Sequence, residues 1–507
     1  MAEASRRLFW LQAAAILLAG FWVFAPALSG EWLWDDDFQI TANRPIQEPG
    51  GLLKIWFAPT EPDYFPLKST LQWIQWQLWG GHALGYHLAT LGMHLLAAFL
   101  LWRLLAKLSV PGAWLAGLLF AIHPVVVESV AWIAEEKNTT ALPPLLLAMS
   151  AYVAFHAHGR RWDLWIAVAW FAAAMLCKTS VVMLPFILLL YVWWRRGDLE
   201  ARDFFSIIPF LAVALVLGLV TAWFQAHRTA GAVASGSPLH ALLFYFWKAV
   251  WPFGLLPIYP PFAPSLLWLA FLPVLALALW LGWKTWGRGF VFGVGFFVLN
   301  LVPVLGLIPM SYLQFSPVAD HFAYLSLIGI VGLAAAGAEK TRRRLRDGRR
   351  RTVTGLLVLA VLLLSLAGRE DAVVFHDQEA FWSAVMARNA QSWLAQYNMA
   401  LVRAKQGRME EAVEGFRGSL ALKPDQPEAR NNLALSLAAT GHLEESAAQF
   451  QILLRLTPDS PVVHNNYGML LAGMGRMEEA IAQFREALRL KPDYVKARNN
   501  LARLLGQ

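Results

Sequence analysis

Asp35, Asp36 and Asp37 stand in a row, boxed by Trp34 and Phe38, directly after an apolar stretch at 8–28. Three adjacent carboxylates repel one another, and nearness to lipid strips water from them, so one pKa is pushed up. Such a group serves as a general base or as a cation site, and a divalent cation is left open by it. The plain alternative is a charged flank that holds the loop in water.

Other ionisable residues sit in comparable places. One segment reads His123-Pro124-Val125-Val126-Val127-Glu128-Ser129, followed by Glu135-Glu136-Lys137. An ionisable side chain within an apolar stretch costs about 2.5–3.5 kcal/mol to insert, which singles out His123 and Glu128. Lys178 is a lone cation between two apolar stretches, where simple snorkelling is the competing explanation. Asp320-His321 opens a later stretch, with Tyr324 one turn on. His227 and Arg228 follow another, and Lys248 falls in an aromatic-rich segment at 244–251 that reads as loop. No phosphate-cradling glycine loop, His-x-x-x-His pair or Gly-x-Ser-x-Gly elbow occurs, so a cytosolic nucleotide-using mechanism has no support.

This set of groups suits transfer from a lipid-linked sugar. A lipid phosphate leaves readily once cations neutralise it, so inverting transfer needs one carboxylate to take the acceptor hydroxyl's proton. It also needs basic residues on the phosphate. A glycosidase differs in needing a second carboxylic acid for a poor leaving group. Asp35 or Asp36 is the expected base, with Lys178, Arg228, His321 and His123 as phosphate partners. Asp37, Glu128 and Asp320 are expected to hold the acceptor or a metal.

The elements that must position these residues are membrane helices. Of 507 residues 58% are apolar and 15% charged, with 25 Trp, far from a soluble globular average. A crossing helix needs about 20 mostly apolar residues. Eleven stretches approach this, at 8–28, 84–106, 111–127, 138–156, 161–177, 179–194, 204–225, 262–283, 289–309, 321–337 and 352–368. Every second intervening loop is basic, which fits an internal N-terminus and places all that follows residue 367 outside. The net charge of +8 rests largely on seven arginines at 341–351, wedged between two spans, so they read as a cytoplasmic anchor and not as a nucleic-acid site. The single Cys177 excludes an internal disulfide framework. Ala25-Pro26-Ala27 resembles a signal-peptidase site, but the stretch before it is long for a signal peptide and reads as a retained anchor. Within the first outer loop, 29–83, Leu67, Leu71, Ile74 and Leu78 recur at helical spacing among tryptophans, predicting an interfacial helix over 66–80.

The tail is a repeat array. Pro424, Pro458 and Pro492 recur every 34 residues, in phase with Gly407, Gly441 and Gly475 and with Phe416, Phe450 and Phe484. That is the tetratricopeptide (TPR) period and pattern, three repeats and a partial fourth at 495–507. Asn398, Asn432, Asn466 and Asn500 share one position of each unit. They are expected either to bind an extended peptide's backbone along the concave face or merely to bridge neighbouring helices.

Taken in order, the first-loop acids, the His-Pro-x-x-x-Glu-x-Val loop, the lysine opening the sixth span and Asp-His before the tenth resemble one family. It is the membrane C-type (GT-C) glycosyltransferases with TPR tails, whose eukaryotic members are the transmembrane and TPR-containing O-mannosyltransferases. The resemblance implies a polyprenyl-phosphate sugar donor and transfer to protein Ser or Thr. It carries the first-loop acids onto Asp35 and Asp36 and the second-loop acid onto Glu128. His321 stands where relatives often have Arg, Thr179 where many bacterial relatives have Pro, and the tail is shorter than in the eukaryotic enzymes. The expected fold is all-α: a GT-C transmembrane domain at 1–368, a linker at 369–389 and a TPR α-solenoid at 390–507. The expected setting is a bacterial inner membrane with the site and repeats in the periplasm, or the lumenal face of the ER. Two other readings stand beside it: the same donor chemistry onto a lipid or envelope polysaccharide, and a non-catalytic scaffold that recruits partners through its repeats.

Overall fold

The structure is a computed structural model that describes residues 2–58, 64–226, 237–261, 287–307 and 310–506. The chain divides into two compact units, Met1–Ala380 and Phe381–Gln507. Both are helical, and among the described residues there is no strand.

In the first unit the apolar stretches form helices because a backbone in hydrocarbon must satisfy its own hydrogen bonds. They are α1 (Ala2–Leu28), α2 (Pro66–Trp79), α3 (Ala83–Lys107), α4 (Ala113–Ile122), α5 (Glu136–His158), α6 (Arg161–Cys177), α7 (Leu184–Arg196), α8 (Ala201–Ala226), α9 (Pro238–Val250), α10 (Arg288–Leu301), α11 (Leu327–Arg344) and α12 (Asp347–Val373). Helix α5 packs on α6 and α3, α12 on α1, and α10 on α11. The outer wall is apolar: Leu11 and Leu18 on α1 are 68% and 71% exposed, and Leu356, Leu359, Leu362 and Leu366 line α12's outer face. Lipid is the solvent that such a wall requires. The chain is an integral membrane protein.

Eleven crossings are not established. Among the described residues six helices are long and apolar enough to span, and a seventh if α4 and the following Pro124–Ala131 count as one span bent by 55°. The bend falls at His123, whose backbone is extended, because Pro124 disfavours helix in the residue before it. The stretches expected at 161–177 and 289–309 are helical over only 17 and 14 residues. That expected at 321–337 begins as a 3-10 turn, Asp320–Ala323, before α11. The stretch at 262–283 lies outside the described residues. Residues 369–389, expected as a linker, are largely helical: α12 runs on to Val373, and α13 (Gln378–Arg388) follows.

The stretch expected as an interfacial element is helical, as α2, with Pro66 at its first position, where a missing N–H costs nothing. Its polar face is the buried one, carrying Lys68, Ser69, Gln72 and Gln75, while Ile74 and Leu78 face outward. A helix with that inversion is suited to lying on lipid.

The second unit stacks α14 (Trp393–Lys405), α15 (Met409–Leu422), α16 (Pro427–Ala439), α17 (Leu443–Leu456), α18 (Pro461–Gly473), α19 (Met477–Leu490) and α20 (Val495–Leu504). The turns between paired helices use Gly407, Gly441 and Gly475 at φ 79°, 83° and 77°, conformations that favour glycine. Phe416, Phe450 and Phe484 are 0%, 0% and 1% exposed and fill the repeat cores.

Candidate functional site

The loop after α1 begins with a strained turn. Trp34 has φ 24°, which a bulky residue rarely adopts, so its surroundings must hold it there. Two things do. Its ring stacks on Trp132 at 5.7 Å, and the neighbouring Asp36 carboxylate accepts from Leu33 N at 2.8 Å and from Ala134 N at 2.6 Å. Asp36 is thus fully buried as the clasp between the loop after α1 and the segment before α5. Burial pushes its carboxyl well above the usual carboxylate range, although both backbone amides pull the other way.

With that turn fixed, Asp35 lines a cavity of about 530 Å³. The acidic row does not act as one group, since Asp37 is exposed and accepts from Thr41 Oγ1 at 2.5 Å. Among the described residues no group of three His, Cys, Asp or Glu side chains converges as metal ligands would.

The same cavity is lined by Glu135, Lys137, Lys178 and His321. Glu135 is their hub: Oε1 lies 2.8 Å from Lys137 Nζ, and Oε2 accepts from Asn138 Nδ2 at 2.7 Å. Asn138 turns its oxygen to Lys178 Nζ, so one amide orients an acid and a cation together. The His321 ring lies 3.0 Å from Glu128 Oε1, too oblique for a hydrogen bond, and 3.7 Å from Glu135 Oε2. Its backbone N–H donates to Glu128 Oε2 at 2.8 Å. Tyr312 and Phe322 pack against the imidazole, with ring centroids 5.2 and 4.4 Å away. Lys68, carried in by α2, adds a third lysine and donates to Gln39 Oε1 at 3.0 Å.

The structure therefore brings together Asp35, Lys178 and His321 of the residues singled out from the sequence. Glu128 stands behind His321. Others serve elsewhere. His123 accepts from Val125 N at 3.3 Å, capping its own turn, and does not line the cavity. Asp320 is buried, taking the Tyr259 hydroxyl at 2.9 Å on each oxygen. Its carboxyl is pushed well above the usual range by burial and by Glu128, against the pull of Lys248. Lys248 lies on helix α9, not in a loop, and donates to the carbonyls of Phe253 and Gly254 at 2.7 and 3.0 Å. His227 and Arg228 lie outside the described residues. Sequence reasoning missed Glu135, Lys137, Asn138, Lys68 and Tyr312 as site residues. The Glu135-Glu136-Lys137 run was the available signal for the first two.

In the array, Asn432 Nδ2 donates to Tyr397 Oη at 3.2 Å, Asn466 Nδ2 to Asn431 Oδ1 at 3.1 Å, and Asn500 Nδ2 to Asn465 Oδ1 at 3.0 Å. Asn398 bonds within its own helix, to Leu394 O at 2.9 Å. The bonds of Asn432, Asn466 and Asn500 bridge neighbouring repeats, and that of Asn398 does not.

Fold and cavity define an integral membrane protein that gathers acids and cations in a cleft and carries a TPR array. Residues 61–225 match the family described as dolichyl-phosphate-mannose-protein mannosyltransferase, a segment that includes Lys68, Glu128, Glu135, Lys137 and Lys178. Residues 397–461 and 468–507 match tetratricopeptide repeat families. Protein O-mannosyl-transferase Tmtc1 of Drosophila melanogaster is 28% identical over 176 residues, a match covering 32% of this chain and 20% of that protein. The chain thus matches about a fifth of that relative's length. Among solved structures, YrrB, a TPR protein with an unusual peptide-binding site, is 20% identical over 29% of this chain and 72% of that chain, with a TM-score of 0.24. MamA from Desulfovibrio magneticus RS-1 is 17% identical over 29% and 79%, again at a TM-score of 0.24. A mannosyltransferase-type membrane segment followed by TPR repeats is the organisation that the sequence motifs had implied.

Proposed function

We propose that the chain is a membrane glycosyltransferase that moves a sugar from a polyprenyl-phosphate donor, with inversion, onto Ser or Thr hydroxyls of extracytoplasmic proteins presented by the TPR array. The observation that carries this reading is one cavity lined by Asp35 together with Lys137, Lys178 and His321. Asp35 takes the proton of the acceptor hydroxyl as its oxygen attacks the sugar's anomeric carbon. The bond from that carbon to the phosphate oxygen breaks on the opposite face, and its electron pair leaves with the phosphate. Lys178 and Lys137 stabilise the phosphate's charge, aided by His321. Asp36 and Asn138 position, the first by fixing the turn before the base, the second by aiming Lys178. The repeats and the site share the periplasmic face of an inner membrane in this reading, as the alternation of basic loops implies.

The test is glycoproteomics of envelope proteins in a deletion strain complemented with wild type or with D35N. Loss of one sugar from Ser and Thr residues, restored by wild type only, is the expected result. Unchanged glycoproteins alongside an altered lipid-linked or envelope polysaccharide would sink the protein-acceptor assignment. No glycan change at all would sink the enzyme.

A further inference from the structure

A second cavity, of about 1220 Å³, lies in the same membrane unit. Helices α7, α10 and α11 connect the two. Thr179 and Ser180, just before α7, line the Asp35 cavity, while Trp194 and Arg195 at its far end line the second. Pro303 and Val304 after α10 line the first, and Arg288 at its start the second. His321 precedes α11, whose last turns bring Lys340 and Arg344 to the second. At about 1.5 Å per residue these helices set the basic end of the second cavity roughly 20–27 Å from the first, while its apolar walls run along α10 and α11 as far as Val298 and Ile328. That separation approaches the roughly 30 Å hydrocarbon core, so the Asp35 cavity and the basic end of the second belong to opposite membrane faces.

The two ends differ in charge. The walls of the second cavity are apolar, with Leu101, Leu105, Phe246, Phe290, Phe297 and Leu333 among them. Its ionisable lining residues are all basic: Arg195, Arg288, Lys340 and Arg344. The neighbouring acid, Glu339, is engaged by Arg342 at 2.7 Å and Arg343 at 2.6 Å. Arg195 and Arg288 each place one nitrogen on a backbone carbonyl, at 3.4 and 3.5 Å, and a guanidinium carries five N–H donors.

We propose that this cavity holds an anionic phospholipid, its acyl chains between α3, α10 and α11 and its phosphate at the arginine rim. A basic pocket between membrane helices at one face is what acidic headgroups recognise. The sugar donor does not fit this place, because a donor whose phosphate sat at the rim would hold its reacting carbon on the order of 20 Å from Asp35. The inference is independent of the glycosyl-transfer reading, since it needs no chemistry at Asp35.

The probes are phosphatidylglycerol and phosphatidylcholine with identical acyl chains, exchanged onto the purified full chain and counted by native mass spectrometry. Phosphatidylglycerol should be retained about tenfold better, the ratio expected when headgroup charge meets more than one arginine. The combination R195Q, R288Q and R344Q should abolish that preference while phosphatidylcholine binding persists. Gly332 lines the cavity, and a Cβ built on it has nothing within 4 Å, so Gly332→Leu should fold normally and lower occupancy by both lipids several-fold. Equal retention of the two lipids, retention of neither, a preference that survives the triple arginine variant, or occupancy unchanged in Gly332→Leu overturns the proposal.

Discussion

Asparagine at position 35 and asparagine at position 36 should fail in different ways. The Asp36 carboxyl is fully buried and satisfies two backbone donors on two separate oxygens, Leu33 N and Ala134 N. Asparagine keeps the shape but offers one oxygen and one NH₂, so whichever way the amide is turned, one backbone N–H faces another donor. A protonated carboxyl would not have this defect, because its hydroxyl oxygen still accepts. Leaving a buried donor unsatisfied costs about 1–3 kcal/mol, and donor against donor belongs at the upper end. At about 3 kcal/mol the contact between the loop after α1 and the segment before α5 opens more than a hundredfold more often. Asp35→Asn lies at the cavity wall, keeps its size and should change stability by about 0.5 kcal/mol or less. It should nonetheless lower transfer by about 10²- to 10⁴-fold, the usual contribution of a positioned base. The assay pairs thermal unfolding of each purified full-length variant with transfer from a radiolabelled polyprenyl-phosphate sugar in membranes. D36N should lose stability and activity together, and D35N activity alone. If D36N melts with the wild type, or D35N keeps its activity, the division of labour within the acidic row is wrong.

Burial raises the folded-state pKa of Asp36 above its unfolded value, so its contribution to stability is complete below the unfolded pKa and is lost as pH rises through the folded one. The melting-temperature advantage of wild type over D36N should therefore be larger near about pH 5 than near about pH 8, and an advantage that grows with pH refutes this. In the array, Phe450→Ala removes a ring that is 0% exposed and packed 5.7 Å from Tyr467, costing about 3–5 kcal/mol. Limited proteolysis of the full chain should then cut within 390–507 well before wild type is cut. Replacing Asn398, Asn432, Asn466 and Asn500 together by Ala should cost the array about 1 kcal/mol for each repeat-bridging bond and weaken acceptor-peptide binding. Unchanged peptide binding by a folded quadruple variant would leave the asparagines a purely structural role.

The repeat array was legible in sequence almost entirely, because its contacts are local and its period of 34 residues states them three times over. Helix α2 was legible for the same reason: Leu67, Leu71, Ile74 and Leu78 declare one face within four turns. What the sequence hid were the decisions made over long separations. Nothing near Asp36 marks it as the clasp, since its partner Ala134 lies 98 residues away. Glu135 and Glu136 are adjacent and chemically alike, yet only Glu135 reaches the cavity, while Glu136 turns to Gln75 of α2. Helical phase at the start of α5 separates them. Crossings were hard to count because the chain bends at His123 after α4, and α6 and α10 are short, and apolar composition does not record such breaks.

The cost of three neighbouring carboxylates is what makes their separation informative. Two unit charges at about 4 Å interact by about 4 kcal/mol at the effective dielectric of a protein surface, so a row of three ionised aspartates would be self-opposed. The chain eases this by giving each a different surrounding: water and Thr41 for Asp37, backbone amides and full burial for Asp36, the cavity for Asp35. The burial that raises the pKa of Asp36 favours its uncharged form and so lightens the repulsion on Asp35. Asp36 then supports Asp35 twice, through the turn it closes and through the uncharged form that its burial favours. A surface flank kept polar for solubility would need neither. The strained Trp34 and the buried Asp36 fix the turn that sets Asp35 at the cavity, which is what the proposed base requires and what a charged flank does not.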